Sequence, residues 1–171
     1  MRKLFSPFVG LCLLFFLLSA CSSMEEATDA MDLSEEFIDT LYTVDNADFV
    51  TGKTSAEEII DIQNEYKPYL TEDEFEELSA KRLLSLPNEI ASQLKNTISV
   101  EKIELEHNQQ TEDEKDSVDL NHSFTLVFKD EAENKVDKIE MTGQMTVIET
   151  KDGPKISRYH DTDELVEMYA P

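Results

Sequence analysis

The hydrophobic period of the chain changes near Asn96, and this change limits the folds that the chain can adopt. Before Asn96, apolar residues recur at intervals of three and four, as along one face of a helix. After Asn96, apolar and polar residues alternate, as in a strand with one buried face. The clearest alternation places on one face Val118, Leu120, His122, Phe124, Leu126 and Phe128. Helices followed by closely linked strands predict an α+β domain, with three or four N-terminal helices packed on a bent antiparallel sheet.

Capping residues predict where the helices begin. We expect Ser34 to cap the first helix, because its side-chain oxygen can accept from a free backbone N–H of the first turn. Thr71 and Glu74 have the spacing of a capping box, in which each side chain bonds the backbone N–H of the other residue. Pro87 suits the first turn of a further short helix, where its missing N–H has no helical partner to lose.

Four strands are expected after Asn96, and they are Ile98 to Glu106, Val118 to Phe128, Ile139 to Val147 and Ile156 to His160. Asp152-Gly153 marks a tight turn between the last two strands. Gly143 lies inside the third strand, where a glycine often allows a sharp bend or a bulge. Short links between successive strands predict an antiparallel meander.

The N-terminus has the layout of an export signal: a cationic start, an unbroken apolar run from Leu11 to Leu18, and small residues. The string Leu18-Ser19-Ala20-Cys21 resembles a bacterial lipobox. This resemblance implies that residues 1–20 are a lipoprotein signal peptide, cleaved between Ala20 and Cys21. Cys21 would then carry a diacylglyceryl group, with acyl chains such as palmitate as the membrane anchor. An ordinary signal peptide and an uncleaved anchor over Leu4 to Ala20 are the alternatives. Residues 21–33 are expected to form a flexible tether, and residues 34–171 a single domain.

Charge and cysteine content exclude several classes of partner and site. Without residues 1–20, the chain has 13 basic and 38 acidic residues, a net charge of −25. Such a charge repels nucleic acid and anionic lipid headgroups, so we expect no nucleic-acid partner. Cys12 leaves with the signal and Cys21 receives lipid, so no thiol remains for a disulfide or a metal site.

Three segments resemble the NTF2-like fold of nuclear transport factor 2, ketosteroid isomerase and the SnoaL-type cyclases. Phe37 to Tyr42 is similar to the opening helix of such domains. Tyr69 to Phe75 resembles a Y-L-T-x-E-F stretch, and Lys151 to Ile156 resembles D-G-x-W-K-I without its tryptophan. The resemblance implies a sheet that wraps around a helix and leaves a conical pocket. A cystatin-like helix-plus-sheet domain is the alternative.

The pocket that this resemblance implies would be lined by His122, Phe124, Met141 and Met145. An imidazole there could act as a base or a donor, or be a core histidine bonded to a backbone group. Neither long strand has an aspartate on its inward face, so no carboxylate–donor pair is expected. His107 and His160 lie too far from His122 in sequence for helical zinc spacing, so no metal site or cofactor is expected.

These observations predict a lipid-anchored, non-enzymatic module on the extracytoplasmic face of the cell membrane, or of the outer membrane in a Gram-negative cell. Its partners would be the membrane, through the N-terminal lipid, and an envelope protein or a small apolar ligand. The alternative is an isomerase- or cyclase-type enzyme that uses the conical pocket. The amphipathic C-terminal segment with Leu165, Val166, Met168 and Tyr169 is expected to pack back on the domain or to contact a partner.

Overall fold

Helices precede a single antiparallel sheet, as the change of period predicts. The computed structural model describes residues 27–46, 56–108, 117–161 and 165–166. Helix α1 spans residues 27–42. The other elements are α2 (Ala56–Asn64), α3 (Glu72–Ala80), α4 (Leu86–Leu94), β1 (Thr97–His107), β2 (Ser117–Lys129), β3 (Lys135–Thr150) and β4 (Gly153–Asp161). The α+β class, the four strands and the first-turn position of Pro87 in α4 are confirmed.

The strands form a meander in the order β1-β2-β3-β4, and each neighbouring pair is antiparallel. The ladder is irregular between Glu101 and Glu104 in β1, where Lys102 has a positive φ of 57°. A second irregularity in the paired strands lies at Thr146 and Val147. Of the bend or bulge that the sequence allows at Gly143, the bulge is absent, because the register between β2 and β3 passes through this residue without a shift.

The core lies between α1 and the inner face of the sheet. The inward residues of β2 alternate as predicted, half-buried at Val118 and buried from Leu120 to Phe128. They share one core with Phe37, Ile38 and Leu41 of α1. Leu165 is also buried in this core, while Val166 is exposed. Packing of the C-terminal segment on its own domain is thus confirmed at Leu165; Met168 and Tyr169 lie outside the described residues.

Helix α1 extends further towards the N-terminus than the capping pattern predicts. Ser34 is buried inside the helix, and its Oγ donates to the carbonyl oxygen of Ala30 at 2.6 Å. A serine bonded to the carbonyl four residues earlier is compatible with a helix interior, so the predicted start at Ser34 is wrong. Residues 27–33 of the expected tether are helical, with Ala30 buried in the core. The rest of the tether, the signal peptide, Ala20 and Cys21 lie outside the described residues.

Helix α3 has half of the predicted capping box. The Thr71 side chain accepts from the backbone N–H of Glu74 at 3.4 Å, as expected. Glu74 does not return the bond, because its Oε1 accepts from the backbone N–H of Tyr159 at 2.8 Å. This buried contact fastens α3 to β4 and explains why Glu74 turns inward.

Within the ranges that the structure describes, no helix is both long enough and apolar enough to span a bilayer.

Candidate functional site

One row of the sheet brings together residues from three strands. His122 on β2 pairs with Gly143 on β3, and Gly143 pairs with Asp161 on β4. Because side chains of paired residues share a face, His122 and Asp161 lie on the same side of the sheet, separated by a residue without a side chain. The imidazole therefore reaches over Gly143 to the carboxylate.

Asp161 is the centre of a cluster of hydrogen bonds, which we call the Asp161 cluster: Asp161, His122, Tyr42 and Tyr159. His122 Nε2 lies 2.6 Å from Asp161 Oδ1. The Tyr159 hydroxyl donates to Oδ2 at 2.6 Å, and the hydroxyl of Tyr42, at the end of α1, donates to the same oxygen. With three donors aimed at one carboxylate, both carboxylate oxygens are occupied by groups of the protein itself.

Aromatic rings enclose the imidazole. The ring of His122 is stacked on that of Tyr159 at 5.3 Å with an interplanar angle of 6°. Phe124 lies against it at 5.8 Å and 27°. The His122 side chain is 0% exposed, and its Nδ1 has no hydrogen-bond partner among the described residues. The imidazole is thus shielded from solvent in the described conformation, although His122 forms part of the lining of a groove of about 510 Å³ that also includes Glu104 and Gly143.

The close approach of the His122 imidazole to β3 requires a glycine at position 143. A Cβ atom at Gly143 would lie 2.5 Å from His122 Nε2 and 2.2 Å from the carbonyl oxygen of His160. Real Cβ atoms do not approach other atoms this closely, so any larger residue has to displace both the imidazole and the β4 backbone. Glycine is present here because another side chain crosses the strand.

The tyrosines of the cluster are held in their neutral form. Burial, and then the nearby charge of Asp161, raises the pKa of Tyr42 well above its ordinary value of 10.0. The same two causes raise the pKa of Tyr159. Both hydroxyls thus remain donors to Asp161 through the physiological range, which suits a structural bond better than proton transfer near neutral pH.

A cleft opens beside the cluster, between α1, α3, α4, the middle of β3 and the end of β4. Its volume is about 80 Å³, and its lining includes Tyr42, Met141, Tyr159, Asp161 and Leu165. Ligand sites for drug-sized molecules are about 300–1,000 Å³. A water occupies about 30 Å³ in the liquid, so this cleft has room for a few waters or one apolar side chain.

The four residues expected to line a pocket all face inward. His122, Phe124, Met141 and Met145 are buried, and Met141 is the one among them that lines the cleft. Phe124 and Met145 contribute to the core, and His122 belongs to the Asp161 cluster. Among the described residues, no three His, Cys, Asp or Glu side chains come together as metal ligands.

Sequence reasoning missed the partners of His122. The expectation that no carboxylate–donor pair exists considered the two long strands and overlooked Asp161, the last residue of β4. Two signals were present. Tyr159 and Asp161 are two residues apart and so share a face, and a glycine interrupts the strand that lies between them and His122.

Comparison with known proteins shows similarity of fold. No protein-family model and no curated protein matches the chain. A periplasmic fragment of TraM is 14% identical with a TM-score of 0.50, over 78% of this chain and 95% of that one. An IcmL-like type IV secretion system protein from Legionella pneumophila is 14% identical with a TM-score of 0.52, over 76% and 87%. The transfer protein TraH from the Gram-positive conjugative plasmid pIP501 is 13% identical with a TM-score of 0.51, over 79% and 92%.

Proposed function

We propose that this chain is a lipid-anchored extracytoplasmic lipoprotein with an NTF2-like domain, and that the domain binds a protein partner at the cell envelope without catalysing a reaction. The lipobox-like string ending at Cys21 supports the anchor. The fold similarity to a periplasmic fragment and to secretion and transfer proteins fits an envelope location.

The enclosure of the Asp161 cluster carries the non-enzymatic part of this proposal. A catalytic dyad needs one group free to meet a substrate, with a reacting atom within about 3 Å. Here both oxygens of Asp161 already accept from groups of the protein, and His122 is flanked by two rings. The cluster ties α1, β2 and β4 to one another, so its role in this proposal is to hold the domain together.

An isomerase-type enzyme is the second candidate, because a carboxylate does lie within hydrogen-bond reach of His122. The cleft of about 80 Å³ beside Asp161 is smaller than a small-molecule site of about 300 Å³. In the larger groove of about 510 Å³ that His122 lines, its side chain is 0% exposed, and both observations argue against an enzyme.

The anchor is tested by substituting each cysteine in turn. Cys21→Ala should abolish incorporation of labelled palmitate and leave an unprocessed precursor or a released protein. Cys12→Ala is the matched control, because it also removes a thiol but leaves the lipobox-like string intact. Mass spectrometry of the processed N-terminus measures the lipid directly. A wild-type chain with a free thiol at Cys21 would contradict the anchor.

Partner binding is tested separately by chemical crosslinking of intact cells. We expect adducts of discrete mass that contain the wild-type protein and one other polypeptide. If the protein is recovered only as an uncrosslinked monomer at its native level, the binding function is wrong.

A further inference from the structure

The two edges of the sheet are covered differently. Along β4, Leu70 forms a parallel bridge with Ile156, and backbone bonds join Thr71 N–H to Ile156 O and Ile156 N–H to Tyr69 O. On β1, Val44 exchanges backbone bonds with Ile98. In the part of the chain that the structure describes, no strand pairs with β1 beyond Ile98 on this side. An uncovered strand edge is a template for another extended chain.

The backbone of Val100 faces this open edge. In an antiparallel strand, alternate residues direct both their N–H and their C=O to the same neighbour. Ile98 directs both groups to Val44, away from β2, so Val100 does the same. Ser99 lies between them and faces β2. Val100 therefore offers a donor and an acceptor at the open edge.

A groove runs beside this edge, between β1 and α1. Its volume is about 550 Å³. The β1 side is formed by half-buried Val100 and Ile103 and by exposed Lys102, and the α1 side carries Asp32, Glu35, Glu36 and Asp39. The apolar side chains of Val100 and Ile103 and the open backbone edge suit an extended chain. The four carboxylates of α1, which we call the acidic wall, outnumber the single amine of Lys102 and suit a positively charged side chain.

We infer that the β1 edge receives a lysine- or arginine-rich extended segment of a partner protein, which adds a fifth strand to the sheet. This inference rests on the proposed partner-binding function and names its surface. Main-chain bonds would come from Val100, and the acidic wall of α1 would select positive side chains. A second copy of this chain is a poor occupant, because each copy has a formal net charge of −23 and the same acidic wall.

The irregularity at Glu101 to Glu104 limits how far a new strand can pair. Bulges and charged side chains on an edge protect proteins from indiscriminate association. In β1 the register shifts after Glu101, one residue beyond Val100, so the pairing segment is short and the charge of the groove has a large share in selecting the partner.

The probe is a fluorescent alternating peptide, Lys-Val-Lys-Val-Lys-Val-Lys, titrated against the full chain and followed by fluorescence anisotropy. Its controls are the same peptide with glutamate for lysine, and one with glycine for valine. We expect binding of the first peptide, no binding of the anionic one, and weaker binding of the glycine peptide, which has lower strand propensity. Binding should weaken as salt shortens the screening length from about 10 Å at 0.1 M to about 3 Å at 1 M.

Val100→Pro removes the outward N–H without removing a bond to β2, and proline is tolerated on edge strands. Val100→Ala is its matched control, because it loses the same packing but keeps the N–H. We expect at least about tenfold weaker binding for the proline variant, and little change for the alanine variant. Joint neutralisation of the wall by Asp32→Asn, Glu35→Gln and Asp39→Asn should also weaken binding about tenfold. The same charge change at exposed sites elsewhere, Asp61→Asn, Glu76→Gln and Asp152→Asn, should leave it nearly unchanged.

Amide hydrogen exchange keeps the test valid if the proline variant does not fold. In the wild-type chain, the peptide should slow exchange at Val100, while Ser99, already bonded to β2, should change little. If the cationic peptide binds Val100→Pro and the wall variants with the affinity of the wild type, the edge inference is wrong, while the proposed function is unaffected. The edge inference is also wrong if the cationic and anionic peptides bind equally well. It is wrong if no peptide binds although crosslinking in cells still yields adducts with another polypeptide. It is wrong, too, if the protein forms a dimer that Val100→Pro abolishes, because the edge would then bind a second copy of the chain. Loss of both peptide binding and cellular adducts contradicts the proposed function as well.

Discussion

Gly143→Ala measures how tightly the Asp161 cluster is built. In an ordinary strand this substitution is favourable, because alanine restricts the unfolded chain and gains about 0.4–1 kcal/mol of stability. At Gly143 the new methyl group would lie 2.5 Å from His122 Nε2 and 2.2 Å from the carbonyl oxygen of His160. Forcing a methyl group into a packed core costs about 1–3 kcal/mol. Leaving a buried hydrogen-bonding group without its partner costs about 1–3 kcal/mol.

The clash and the loss of the His122–Asp161 hydrogen bond outweigh the gain in chain entropy, so we expect a net destabilisation of about 3 kcal/mol. With a urea m-value of about 2 kcal/mol/M, the unfolding midpoint should fall by about 1.5 M. Urea denaturation followed by circular dichroism measures this shift. Thr142→Ala, on the exposed face of the same strand, is the control for strand propensity and should cost less than about 1 kcal/mol.

A double-mutant cycle with His122→Ala identifies the cause. Removing the imidazole opens space beside residue 143, so Gly143→Ala should be less damaging in the His122→Ala background than in the wild type. The contact with the His160 carbonyl remains, and therefore the rescue should be incomplete. If Gly143→Ala is neutral or stabilising in the wild-type background, the reasoning about the crossing imidazole is refuted.

Three further changes test the contacts around the cluster. Thr71→Ala should cost about 0.5–1 kcal/mol in urea denaturation, near the lower end for an N-cap, because the bond to Glu74 N–H is long at 3.4 Å. Burial raises the pKa of Glu74, so the folded state holds its proton more tightly than the unfolded state, whose value is about 4.3. The stability contributed by this group is therefore lost as pH rises from about 4.3 through the folded pKa. Across that pH range the free energy of unfolding of Glu74→Gln should rise relative to that of the wild type, and below that range the two should be equal. Tyr42 and Tyr159 also have raised pKa values, so the folded state resists their ionisation and loses stability as pH rises above about 10. Their absorbance change at alkaline pH should coincide with unfolding by circular dichroism; ionisation before unfolding would contradict their burial.

The strands were predictable because alternation encodes the buried face of each strand directly. Val118 to Phe128 alternates without interruption, and β2 extends one residue beyond this pattern at each end, with the inward residues buried from Leu120 onwards. The helix start was not predictable from its cap. A serine before an apolar run predicts a cap, yet Ser34 bonds Ala30 within a longer helix, since burial of Ala30 favours continuing the helix.

Glu74 shows the same competition between local and tertiary contacts. Its spacing from Thr71 is that of a capping box, and one of the two bonds of the box forms, from the backbone N–H of Glu74 to the Thr71 side chain. The carboxylate is instead used by β4, a strand 85 residues away in sequence, whose backbone N–H at Tyr159 needs an acceptor. Local pattern analysis cannot weigh that demand, because the register between β4 and α3 exists only in the folded chain.

The Asp161 cluster depends on two registers at once, and this is why its partners escaped prediction. Asp161 faces His122 only if β2 pairs with β3 at Gly143 and β3 pairs with β4 at the same residue. A shift of one residue in either pairing would turn a side chain to the opposite face of the sheet. The irregularity at Thr146 and Val147 supplies such a shift within the β3–β4 pair, and no pattern in the sequence marks it. Gly143 is one sign of the cluster in the sequence. A glycine inside a strand indicates that another group lies close to the backbone there, and in this fold that group is the imidazole of His122.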